Sequence, residues 1–130
     1  MKFTDATKLV KQAKEKTIRF TFGDDYDLVV DGEKVTSLEG QWIDLNPLMS
    51  KAYSDHKLEI NRKYAEVKEK PLDGEIETEI LAGLIKDWSF ADECTQENKI
   101  AILKEFDKQF EAALVMKANN VNFTKSKRKG

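Results

Sequence analysis

Residues 74–116 read GEIETEILAGLIKDWSFADECTQENKIAILKEFDKQFEAALVM, and no other part of the chain brings so much apolar surface into register. In the first half, Ile76, Ile80, Leu81, Leu84, Ile85 and Trp88 recur at steps of three, four and one. That fits a period of about 3.6 residues and predicts one helix ending at the tryptophan. After a short polar break, Ile100, Leu103, Phe106, Phe110, Ala113 and Leu114 repeat the pattern and predict a second helix. Thr95 is placed to cap it, with Glu97 in the first turn, where the helix dipole favours an acid. The core is expected around Trp88, with Ile80, Leu84, Ile85, Leu103, Phe106 and Phe110.

Pro71-Leu72-Asp73-Gly74 reads as the linker into this helical core. Before it, residues 47–70 predict one long helix, roughly 35 Å at 1.5 Å per residue. Asn46 is placed to cap it, and Pro47 suits its first position, where the missing N–H had no partner. Met49, Tyr53, His56, Ile60, Tyr64 and Val67 make one narrow apolar stripe at steps of four and three. The other faces carry charges such as Lys51, Asp55, Lys57, Glu59, Arg62 and Lys63. A stripe this narrow suits one neighbour only. Such a helix either lies across the domain or projects to meet a partner; these six residues are expected as the partner surface, for another protein or for a second copy in a homo-oligomer.

Further upstream the period changes to two. Ile18, Phe20 and Phe22 alternate with polar residues as in a half-buried strand, and Gly23-Asp24-Asp25 breaks it. Tyr26, Leu28 and Val30 alternate again, and Asp31-Gly32 is a hairpin turn with Val35 in the returning segment. Gln41 to Leu45 is a last extended piece. Residues 1–16 hold many lysines and a thin apolar edge of Leu9, Val10 and Ala13, which fits a short helix from about Asp5 or a loose arm. At the other end, residues 119–130 read as a flexible tail closing on Lys-Ser-Lys-Arg-Lys-Gly. The expected fold is α+β and mostly helical, in one domain. It has small antiparallel strands and a hairpin in 17–45, one long helix in 47–70 and a helical core in 74–118.

Composition bounds the chemistry. A net charge of −2 gives no global electrostatic case for nucleic acid or an anionic membrane. No window approaches the roughly 18 apolar residues of a membrane span, and residues 1–5 lack the apolar run of a signal peptide. One cysteine, Cys94, excludes an internal disulfide and fits a reducing compartment, so a cytoplasmic protein is expected. His56 is the one histidine, which argues against a zinc site, and its place on the apolar stripe favours a packed or interface role. Asp92 and Glu93 beside Cys94 are expected to raise its pKa, against a nucleophile. Asp24, Asp25, Asp27, Asp31 and Glu33 lack the spacing of a calcium loop. No phosphate loop, nucleophile elbow or paired-carboxylate signature is present, and no cofactor is expected. Trp42 and Trp88 both read as core anchors.

Three segments in order resemble the small tail assembly chaperones of long-tailed bacteriophages. Gln41-Trp42-Ile43-Asp44-Leu45, followed by Pro47, Ser50 and Tyr53 through Arg62-Lys63, is similar to the family's aromatic strand running into a charged helix. Ile80-Leu81-Ala82 to Asp87-Trp88, then Thr95-Gln96-Glu97-Asn98, resembles its apolar helix ending in tryptophan, a loop and the start of the next helix. The run from Asn119 to Ser126 resembles its polar-aromatic close. Asp87 stands where the family usually has glycine, and the loop from Ser89 to Cys94 lacks its Gly-x-Pro hairpin. The resemblance implies a non-enzymatic adaptor in the cytoplasm of an infected bacterium, binding tape-measure and tail-tube proteins during tail assembly. A structural component of the virion is the alternative, and a small enzyme ranks third.

Overall fold

The computed structural model describes residues 1–121, so all but residues 119–121 of the expected flexible tail lies outside the described residues. In chain order the elements are α1 (Phe3–Glu15), β1 (Ile18–Thr21), β2 (Val29–Val30), β3 (Glu33–Lys34) and β4 (Trp42–Leu45), with a 3₁₀ turn at Thr36–Leu38 before β4. Then come α2 (Lys51–Ala65), α3 (Asp73–Leu81), a second 3₁₀ turn (Ala82–Leu84), β5 (Ile85–Trp88), α4 (Gln96–Phe106) and α5 (Lys108–Ala118). The fold class is the expected one, α+β and mostly helical.

One sheet organises it, in the order β1-β4-β5 and antiparallel throughout. Its first pairing joins Ile18 to Leu45 and Thr21 to Trp42. The period-two alternation of the sequence is realised here: Phe20, Phe22, Ile43 and Leu45 face inward and are buried. On the outer face Arg19 grips Asp44 with two hydrogen bonds of 2.9 and 3.2 Å. Its guanidinium lies 3.8 Å from the centre of the Trp42 ring, so Trp42 is half-buried under a cation and not the expected core anchor.

The third strand corrects the helix expected up to Trp88. Helix α3 stops at Leu81, tightens through the 3₁₀ turn and gives way to β5. Without β5, one edge of β4 would leave its N–H and C=O groups unpaired beside the core. The pairing runs Leu45 to Ile85, Asp44 to Asp87 and Ile43 to Trp88, so one residue, Lys86, is extra and bulges. The bulge returns both Ile85 and Trp88 to the buried face, although three residues separate them. A strand with one bulge thereby mimics the spacing of a helix. Asn46, expected to start the long helix, instead ends the 3₁₀ turn: its N–H donates to Leu84 O and its side-chain amide to Gly83 O, at 2.8 and 2.9 Å.

Helix α2 is accordingly shorter than expected. Ser50 is its N-cap, its hydroxyl accepting the Tyr53 N–H at 3.2 Å, while Leu48 N–H is held by Ala118 O at 2.8 Å. The expected single helix after Thr95 is also two. Thr95 caps α4 as expected, accepting the Asn98 N–H. Asp107 then breaks the path at φ +95°, and its carboxylate accepts the N–H groups of Gln109 and Phe110 to start α5. The break turns Phe110 against the sheet. Its ring stacks on Phe22 at 6.0 Å and meets Phe20 edge-on at 5.9 Å.

The centre of the core is therefore Phe20, Phe22 and Phe110, with Ile43, Leu45, Leu84, Ile85, Leu103 and Leu114. Trp88 is buried as expected, but at the edge of this cluster, and its indole N–H donates to Asp92 O at 2.8 Å. Ile80 and Phe106 are half-buried against it. The small β2–β3 hairpin stands apart, its Val29 and Val30 exposed. Asp31 and Gly32 both have positive φ there, at +53° and +78°, which is the turn an Asp-Gly pair favours.

Candidate docking groove

The stripe expected to bind a partner is mostly committed within the chain. Tyr53 and Ile60 are buried, at 9% and 8% exposure. His56 donates from Nε2 to Glu79 O at 2.8 Å, because a carbonyl oxygen can only accept. Its ring lies against Gly83, where any side chain would collide with it. Tyr64 donates its hydroxyl to Glu79 Oε1 at 2.9 Å. Gln96, at the start of α4, donates to Glu79 O at 3.1 Å, so Glu79 ties α2, α3 and α4 together. Met49 and Val67 remain exposed at the two ends of the stripe. Tyr53, His56, Ile60 and Tyr64 thus seat α2 within the fold, and only Met49 and Val67 of the six stay open. Periodicity located the apolar face, and only the tertiary arrangement says what already covers it.

An open apolar surface lies elsewhere, between α4 and the loop after β5. Trp88, Phe90, Ile102 and Phe106 line a groove of about 330 Å³, Ala101 leaves it room, and Asp92, Asn98 and Glu105 edge it. Helix α4 is apolar on two sides. Leu103 is buried in the core, while Asn98, Ala101, Ile102, Glu105 and Phe106, at steps of three and one, face the groove. The loop wall is fixed from within: Trp88 and Phe90 meet edge-on at 5.6 Å, and the Trp88 indole holds Asp92 O. Asn98 donates its side-chain amide to Glu93 O at 2.7 Å, which ties the loop to α4. The two acidic residues at the groove, Asp92 and Glu105, face no basic residue in its lining, so it suits an apolar helix face flanked by cations. The signal in the sequence was the second stripe of α4, Ala101, Ile102 and Phe106, beside Ile100 and Leu103.

Other candidates resolve into structure. Burial pushes the Cys94 thiol pKa up; Asp87 adds to the rise and Lys99 opposes it. The direction is the expected one, but burial and Asp87 cause it, not Asp92 and Glu93. Asp25 accepts the Thr21 N–H at 2.7 Å and Lys117 Nζ at 2.9 Å. Burial acts to raise its pKa, and the Thr21 and Lys117 contacts outweigh it, leaving the carboxyl below its ordinary value. Asp27 pairs with Lys34 at 3.3 Å. Among the described residues no group of three or more His, Cys, Asp or Glu side chains could hold a metal ion, and no helix is long and apolar enough to cross a membrane. Compared with family models, curated proteins and solved structures, the chain matches none of them.

Proposed function

We propose that this protein is a non-enzymatic adaptor that takes an apolar helical segment of another protein into the α4–β5 groove. The observation that carries the reading is the open apolar floor with an acidic edge, at the rim of the core. A helix laying one face into such a groove gains burial from its apolar anchors, and lysine or arginine beside them meets Asp92 and Glu105. The resemblance to tail assembly chaperones of long-tailed phages supports tape-measure and tail-tube proteins as the clients, met in the cytoplasm of the infected host.

The test is co-expression with the tape-measure and tail-tube proteins of the same genome. The chain is expected to co-purify with one of them, and Glu105→Lys with Asp92→Lys is expected to break the complex while the fold persists. Mass spectrometry of purified particles runs beside it. Its presence there at fixed stoichiometry would replace the adaptor by the structural reading.

A further inference from the structure

Helix α1 offers the face that the groove lacks. No residue of α1 is fully buried; Val10 and Ala13 are half-buried, and Phe3 and Leu9 are 79% and 58% exposed. Phe3, Ala6, Val10 and Ala13 repeat at steps of three and four with Leu9 beside them, and Lys8, Lys11 and Lys14 run along one flank. Residues 3–11 are an apolar strip with Lys8 and Lys11 on its edge and Asp5 as its one acid. The groove is an apolar floor edged by acids.

The same chain cannot join the two without dismantling itself. Helix α1 leads into Ile18, at the end of the sheet where Leu45 and Ile85 pair; the groove lies beyond Trp88, at the opposite end. Its last turn is also tied down: Glu15 accepts the Lys51 N–H at 3.0 Å, and Asn120 donates to Ala13 O at 2.8 Å.

We infer that α1 of one copy docks into the α4–β5 groove of a second copy, with Phe3 and Leu9 against Trp88, Phe90 and Phe106 and the lysine flank against Asp92 and Glu105. The inference rests on the groove's being the docking surface proposed above. Each copy carries one helix and one groove, so a reciprocal exchange closes a two-fold dimer with both apolar surfaces covered. A client helix then competes with α1 for the same floor, and the dimer is the form that waits for it.

Sedimentation equilibrium of the full chain tests this. The wild type is expected to dimerise, more weakly at about 0.5 M than at about 0.05 M salt, because the edge charges are exposed. Phe3→Glu with Leu9→Glu, both at exposed positions, is expected to weaken the dimer at least about tenfold. Lys8→Glu with Lys11→Glu on the helix, or Asp92→Lys with Glu105→Lys at the groove, is expected to do the same. Mixing those two charge-reversed chains is expected to restore a heterodimer, which loss of folding in either could not do. A wild type still monomeric at about 0.1 mM, or a dimer indifferent to both reversals, would overturn the inference. A monomer whose α1 instead pellets with phosphatidylglycerol vesicles, an effect lost in Phe3→Glu with Leu9→Glu, would assign the helix to a lipid surface. Client capture separates the two readings. Capture by the α1-reversed chain beside a monomeric wild type sinks the dimer and leaves the adaptor standing. A charge-matched dimer with no capture in any form does the reverse.

Discussion

Helices α1 and α5 are of similar length, 13 and 11 residues, and sit at opposite extremes of burial. Helix α1 separates apolar from charged residues more sharply than any other helix among the described residues, yet it buries none of them. Helix α5 shows the weakest separation and buries Phe110, Glu111, Leu114 and Ala118. A sharply two-sided helix has a face to offer; whether anything is opposite is decided by the rest of the chain. In α5 more than one side is occupied, by the sheet, by α4 and by the segment before α2, so a clean stripe would have been a disadvantage.

The largest test of this contrast is Phe110→Ala. The ring fills the space between Phe20, Phe22 and Phe106, and its removal is expected to cost about 3–5 kcal/mol in urea unfolding. A much smaller loss would mean that Phe110 is not at the centre of the core.

Next is Gly83→Ala, which tests the seat of α2. The added methyl must displace the His56 ring and with it the hydrogen bond to Glu79, at an expected cost of about 1–3 kcal/mol. Combining it with His56→Ala should cost less than the sum of the two changes. Strict additivity would show that the ring was never in the way.

A smaller, pH-dependent effect is expected from Asp25→Asn, which cuts the tie from α5 to the loop after β1. The folded-state pKa of Asp25 lies below its unfolded value, so its contribution is present above the ordinary carboxylate pKa and fades as pH falls through the folded value. The variant should be less stable than wild type by about 0.5–1 kcal/mol near neutrality. The two should converge in acid. A gap that widens at low pH would reverse the assignment.

Smallest of all, Phe3→Glu with Leu9→Glu on α1 should leave monomer stability within about 0.5 kcal/mol, since both side chains are exposed. A loss comparable to that of Phe110→Ala would erase the contrast between the two helices.

The sequence was readable where the deciding interaction was local. The alternation at Ile18, Phe20 and Phe22, the Asp31-Gly32 turn and the Thr95 cap each depend on neighbours a few residues away. Ile85 to Trp88 was misread because the bulge at Lys86 puts two side chains three apart on one face, the spacing a helix also gives. The edge of β4 settles that choice from 40 residues away. Asp107 was missed for a similar reason: nothing in a helical run announces a positive φ that aims Phe110 at the sheet. At the site, Trp88 and Phe106 stood out in the sequence, but as core. Seeing them as the floor of a groove requires knowing that Leu103 turns α4 the other way. On α2 the stripe shows an apolar face, but not that Glu79 and Gly83 take up His56 and Tyr64 while Met49 and Val67 stay exposed.

The strand order carries a consequence in time. During synthesis, β1 and β4 can pair once Leu45 is free of the ribosome, but Ile85 follows about 40 residues later, or about two to eight seconds at about 5–20 residues per second. Through that interval the nascent sheet keeps an open edge, and Phe20 and Phe22 wait longer still for Phe110. The finished molecule covers Phe20 and Phe22; the half-made one carries them uncovered until the last third of the chain arrives.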